Sequence, residues 1–177
     1  QVKIEGSPDN NFMPTAKDIK PYIAEAKIIA LCSPLNPTGT TFSEKGLEEI
    51  CDLILEENKK RGEQKKPVYL LFDQIYWQLT HSLTIHVDPV SLRPRMKNYT
   101  IYVDGISKAF AATGVRVGWA FGPQKVINKM RSICSHLGAW SPKAEQIACA
   151  NYLMNDHAVD NYLVDMKSKI NQRLNAF

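Results

Sequence analysis

The stretch Y-T-I-Y-V-D-G-I-S-K-A-F-A-A-T-G-V-R-V-G, Tyr99 to Gly118, decides how this chain is read. Its β-branched and aromatic start, Thr100 to Val103, predicts a strand that ends at Asp104-Gly105. Ser107 and Lys108 follow at once, and Arg116 comes eight residues after the lysine. A strand delivering a hydroxyl, an amine and a guanidinium at its C-terminal end suits an anionic, carbonyl-bearing ligand. Whether that grouping has meaning depends on what the other strands bring to the same place.

Upstream, Lys27 to Cys32 (K-I-I-A-L-C) and Val68 to Phe72 (V-Y-L-L-F) are short and almost wholly apolar, as strands buried on both faces of a parallel sheet are. Between them Leu47, Ile50, Cys51 and Ile54 form an i, i+3, i+4, i+7 stripe. This predicts a helix from an N-cap at Ser43 to Arg61, with Lys59, Lys60 and Arg61 suiting its negative end and Gly62 just past it. The basic cluster of residues 59–66 reads as a solvated helix end. Strand, helix, strand in this order implies a right-handed crossover and parallel pairing. Before it, Thr15 is placed to cap a short helix over Lys17 to Glu25 that turns Ile19 and Ile23 inward. Residues 77–98 show no clear period, with a short helix after Asp88 left open, and a connection that long is more often functional than idle. Trp77 within it either shapes a pocket or packs beneath the stretch, and packing is the simpler reading.

Downstream, Val115 to Phe121 (V-R-V-G-W-A-F) predicts a fourth strand, too close to the third for a parallel crossover and therefore antiparallel. Three helical patterns follow. Pro123 sits at the first turn of one that carries Val126, Met130, Ile133, Cys134 and Leu137 and ends at Gly138. Ser141-Pro142 opens a second through Leu153, and a third runs from about Asp156 through Leu174. The sum is an α/β fold with a mixed, mostly parallel sheet flanked by helices.

With 177 residues, 44% of them hydrophobic, the chain is long enough for one sizeable core. A net charge of +4 without an aromatic-interleaved basic stripe gives no reason to expect nucleic acid. No apolar run reaches the ~20 residues of a membrane span. Cys32, Cys51, Cys134 and Cys149 are far apart, three of them on apolar faces, and read as reduced thiols of a cytoplasmic protein. The four histidines lack ligand spacing, so no metal is expected. The chain opens on Gln1 and closes on Phe177 inside a helical pattern, as a piece of a longer protein would.

In open α/β sheets ligands bind beyond the carboxyl ends of the strands. Those ends deliver Asn36 within S-P-L-N-P-T-G (33–39), Asp73 and Tyr76 within D-Q-I-Y (73–76), and Ser107, Lys108 and Arg116 within S-K-A-F-A-A-T-G-V-R-V-G (107–118). A carboxylate directly after V-Y-L-L-F is costly unless a cation or good donors meet it. Asp73 and Lys108 pairing with each other is the bland alternative.

On these three motifs the chain resembles the class I/II aminotransferases, the fold-type-I pyridoxal-phosphate enzymes that include aspartate aminotransferase. The resemblance implies pyridoxal 5'-phosphate as cofactor, with Lys108 as its Schiff-base lysine and the proton carrier at the substrate α-carbon. It implies that Asp73 pairs with the pyridine nitrogen, favouring the protonated ring that serves as the better electron sink. Tyr76 and Asn36 would hydrogen-bond the ring oxygen, with Asn36 also near substrate, and Ser107 and Arg116 would hold the phosphate. A cis bond before Pro37 is a further expectation. The substrates implied are an amino acid and a 2-oxo acid, and the full-length protein would be a homodimer. On the same grounds residues 1–177 are part of the cofactor-binding large domain, the last helix entering the connector to an absent small domain. The family's Gly/Ser-rich phosphate turn, ring-stacking aromatic and carboxylate-gripping arginine have no counterpart here, so the piece alone is expected to be inactive. Lyases, decarboxylases and the aminotransferase-like effector domains of transcription regulators share the fold and stand as alternatives.

Overall fold

A computed structural model of the chain describes residues 1–81 and 84–176. Its centre is a four-stranded sheet of β1 (Ile28–Cys32), β2 (Tyr69–Asp73), β3 (Thr100–Gly105) and β4 (Gly118–Phe121), in that spatial order. β1, β2 and β3 are parallel, while β4 runs antiparallel to β3. The mixed sheet therefore has the expected topology.

α2 (Glu44–Arg61) covers one face. Its Ser43 Oγ accepts the Gly46 N–H at 3.1 Å, and Gly62 closes it at φ 54°, a conformation glycine adopts cheaply. Leu47, Ile50, Cys51 and Ile54 are fully buried against Ile29, Leu31, Leu70 and Phe72 in one core. The solvated helix end is corrected at Arg61. It is buried, pairs with Glu57 at 2.7 Å, and donates to the carbonyls of Lys66, Ile23 and Ala24. Asn58 is also buried; it accepts the Val68 N–H and donates to the Val68 carbonyl, binding the helix to the start of β2.

Burial on both faces holds best for β3. β1 alternates: Ile29 and Leu31 are inside while Ile28 is exposed. The first helix is shorter than expected, α1 (Ala16–Ile19) passing into a 3-10 turn at Lys20–Tyr22. Pro21 lacks the N–H that a continuing α-helix requires. Thr15 caps it as expected, and Ile19 and Ile23 are buried. α3 (Pro89–Leu92) supplies the short helix after Asp88, whose carboxylate accepts the Val90 and Ser91 N–H groups. Arg93 then grips Asp52 through two nitrogens and Glu48 through one, fastening this stretch to α2.

β4 begins three residues later than predicted, since Arg116 takes a left-handed conformation (φ 61°) behind a 3-10 turn at Thr113–Val115. The short α4 (Ile106–Ala109) follows β3 directly. Gly105 and Gly118 face each other across β3 and β4. A Cβ on Gly105 would lie 3.0 Å from the Val117 carbonyl oxygen, so glycine permits this close approach.

α5 (Gln124–Leu137), α6 (Lys143–Leu153) and α7 (Asp156–Leu174) complete the chain. α6 attaches beside the sheet through a small cluster of Cys149 with Ile106 and Val117. Phe110 stacks on Tyr162 and meets Tyr152 edge-on, each at 5.7 Å. Phe177 and residues 82–83 of the 77–98 stretch lie outside the described residues. All four cysteines are free; Cys51 and Cys149 are buried, Cys32 and Cys134 half-buried. No helix among the described residues is long and apolar enough to cross a membrane.

Candidate active site

The three sequence clusters meet at the carboxyl end of the parallel strands. Cys32, Asp73 and Val103 share one row across β1, β2 and β3, which places Asp73 in the middle strand. The Ser33 N–H donates to the Asp73 carbonyl at 3.0 Å, and the Gln74 N–H to that of Val103. These bonds hold the three strand ends in step.

After β1 the chain folds back on itself. The Leu35 N–H bonds the Thr40 carbonyl at 2.8 Å, and the Gly39 N–H bonds Leu35 at 2.7 Å. The Asn36–Pro37 peptide is cis, as expected, and so is Ser33–Pro34. This turn presents Asn36, whose Nδ2 donates to the Tyr76 hydroxyl at 3.1 Å across forty positions of sequence. The Asn36 and Tyr76 motifs are thus in direct contact.

The Lys108 Nζ lies over the Tyr76 ring, 5.9 Å from its centroid. Lys108 is exposed, and among the described residues no ion pair joins it to Asp73. The bland pairing of these two is therefore not what the structure adopts. Asp73 is half-buried, less enclosed than its apolar strand led one to expect, and its Oδ1 accepts the Ile75 N–H at 3.1 Å. Ser107 and Arg116 are linked through Thr113: the Thr113 hydroxyl donates to the Ser107 carbonyl at 3.2 Å, and the Arg116 guanidinium donates to the Thr113 carbonyl at 2.8 Å. The left-handed conformation at Arg116 turns the backbone back toward α4. This loop carries a hydroxyl and a planar cation, groups of the kind that bind anions.

A cavity of about 380 Å³ lies beside this grouping, lined by Asn36, Pro37, Tyr76, Leu79 and Thr84 among others. Asp73, Ser107, Lys108 and Arg116 do not line it. They stand around the strand ends, with Lys108 and Arg116 exposed. Chemically, the arrangement offers an amine, a phenol–amide pair, a carboxylate, a hydroxyl and a guanidinium within one strand-end region. Among the described residues no His, Cys, Asp and Glu cluster is suited to a metal ion.

The sequence reading missed one feature of this site. Trp77 does not only pack: its Nε1 donates to the Asp104 carboxylate at 2.8 Å. Asp104 had been read as no more than the end of a strand. The sole clue was a carboxylate inside an apolar run, the signal that drew attention to Asp73.

The whole chain, residues 1–177, matches the sequence profile of the family described as aminotransferase class I and II. The aspartate aminotransferase of Bacillus subtilis is 32% identical over 136 residues, which are 76% of this chain and 32% of that enzyme. That of Geobacillus stearothermophilus is 30% identical over 176 residues, 98% of this chain and 42% of the enzyme. The solved structure of the aspartate aminotransferase from Thermus thermophilus with maleate superposes at a TM-score of 0.83 and 29% identity, covering 97% of this chain and 42% of that one. The chain thus spans about a third to two fifths of the length of these relatives.

Proposed function

The chain belongs to the aminotransferase class I and II family, and from that premise we propose that the protein carrying it moves an amino group from an amino acid to a 2-oxo acid with pyridoxal 5'-phosphate as cofactor. Bound, this cofactor supplies an aldehyde for an amine and an electron sink for the substrate's α-carbon. The residues present fit it. The amine of Lys108 has no ion pair among the described residues and lies over a phenol ring, Asp73 offers a carboxylate at the end of the middle strand, and Ser107 and Arg116 offer the phosphate a hydroxyl and a fork of donors. In this reading Lys108 holds the cofactor and afterwards moves the proton at the substrate α-carbon. Asp73 keeps the ring nitrogen protonated. Tyr76 and Asn36, already joined, orient the ring oxygen, and Asn36 also borders the substrate.

The single observation that carries this reading is the exposed Lys108 amine over Tyr76, itself bonded to Asn36, at the strand ends. The same reading takes residues 1–177 as part of the cofactor-binding large domain, with α7 leading into a connector helix. It also takes the working enzyme as a cytoplasmic homodimer, in keeping with four free thiols and with the exposed apolar residues of α5 to α7. Relatives named for aspartate and for aspartate/prephenate make acidic amino acids the first donors to test.

In the full-length protein, mixing with pyridoxal phosphate is expected to give a visible absorption band that an amino acid converts in one turnover to the amine form of the cofactor. Lys108→Ala is expected to abolish the band. A variant that still trapped cofactor as a borohydride-reducible adduct would remove Lys108 from its role.

A further inference from the structure

We propose that Asp104 and Trp77 are a positioning pair that holds the Tyr76 turn against the Lys108 turn, so that the phenol sits over the lysine amine. This rests on the functional reading above.

Two segments meet at the Asp104 carboxyl, the β3–α4 junction and the turn after β2. Its Oδ1 accepts the Gly105 N–H at 2.7 Å, at the junction of β3 with α4, and its Oδ2 accepts the indole N–H of Trp77 at 2.8 Å. Gln74, just past β2, is near enough to draw the Asp104 carboxyl downward. Asp104 is only 8% exposed. Burial pushes its carboxyl up from the ordinary range, the bonds from Gly105 and Trp77 and the nearby Gln74 side chain draw it back, and Asp73 adds a smaller upward push. A buried carboxyl of this kind is costly to leave without donors, so the structure keeps the indole where it is.

The Trp77–Leu79 turn packs against α4, and the hydrogen bond adds direction to that contact. Trp77 borders a cavity of about 660 Å³ together with Gln74, His86 and Tyr102, and its nearest ring neighbour, His86, is 5.9 Å away. Packing brings the Tyr76–Trp77 turn to α4, and the hydrogen bond, in this proposal, fixes its angle there. On one side of that turn stands the Tyr76 hydroxyl with Asn36; on the other, four residues past Asp104, stands Lys108. Neither Asp104 nor Trp77 need touch the cofactor to act.

The test uses the full-length protein loaded with pyridoxal phosphate, with two readouts besides turnover: the cofactor dissociation constant and the pH midpoint of the visible band. Trp77→Phe keeps an aromatic ring and removes the donor. It is expected to weaken cofactor binding by about tenfold, the scale of a lost bond to a charged group, and to move the pH midpoint. Asp104→Asn, nearly isosteric, supplies one acceptor oxygen where the carboxylate supplies two, and is expected to act in the same direction. The double variant is expected to fall short of the sum of the two single effects, since both substitutions act on one contact. A Trp77→Phe protein that binds cofactor as the wild type does, or that loses stability with the pH midpoint unmoved, would overturn the proposal. If the wild type itself develops no visible band, the functional reading falls, and the pair's role falls with it.

Discussion

Two helices of this chain carry the same sequence pattern and meet different fates. In α2, Leu47, Ile50, Cys51 and Ile54 are all fully buried beneath the sheet. In α5, Val126, Met130, Ile133, Cys134 and Leu137 repeat the pattern, yet none is buried, and Leu137 is 74% exposed. Both stripes formed helices where periodicity placed them. Only one found a surface to cover. An amphipathic stripe is thus a statement about local conformation, and burial depends on what stands opposite. The candidate site lies on the seam between the two regions. Asn36, Asp73 and Tyr76 come from the closed side, while Ser107, Lys108 and Arg116 come from the turn that Phe110 ties to α6 and α7.

This contrast is sharpest in stability. Ile50→Ala removes a side chain from the enclosed core and is expected to cost about 2–5 kcal/mol, measured by denaturant unfolding. A loss no larger than that of a surface substitution would break the comparison.

A second test lies in pH. Both ring nitrogens of His86 are buried without partners among the described residues, against Phe72 and Trp77. Burial lowers its pKa from the ordinary 6.5, against a smaller upward pull from Asp88. A depressed histidine is neutral in the folded protein and protonates more readily when unfolded. Its contribution is therefore whole above about pH 6.5 and is lost as the pH falls through that range, at no more than about 1.4 kcal/mol per pH unit. Burial also pushes Asp88 upward, but the bonds from Ser91, Tyr102 and Val90 outweigh it and hold the carboxyl below its ordinary range. Its contribution fades only at lower pH, so the two windows separate. His86→Phe is expected to flatten unfolding stability between pH 7 and 5; an unchanged slope would show that the closed side is not sealed around this ring.

The smallest effect belongs to the open side. In the 177-residue chain Leu137→Ser is expected to stay within about 0.5 kcal/mol of the parent. The same substitution in the longer protein then reports whether α5 is covered there.

Much of the closed side was legible in sequence, because strand and helix periods, caps and breakers are local signals. Ser43, Thr15 and Gly62 do what their positions announce. The errors have equally local causes: Pro21 ended a helix early, and Arg116 delayed β4 by turning left-handed. Arg61 shows the other limit. A basic residue at a helix end looks solvated in sequence, yet here it reaches three backbone carbonyls, two of them nearly forty positions upstream. The six candidate site residues were named from motif and resemblance. What the motifs did not contain was their mutual arrangement: the Asn36–Tyr76 bond, the Thr113 link between Ser107 and Arg116, and the placement of the Lys108 amine over the Tyr76 ring.

By itself the sequence determined the elements, the parallel order of β1 to β3, the antiparallel β4 and the family, since each follows from spacing within a few tens of residues. Tertiary structure alone decided which amphipathic face is covered, that Asp73 and Lys108 do not pair, and that the Tyr99–Gly118 stretch is anchored through Asp104 to Trp77. Those outcomes depend on distances between segments far apart in the chain, and such distances are set by packing.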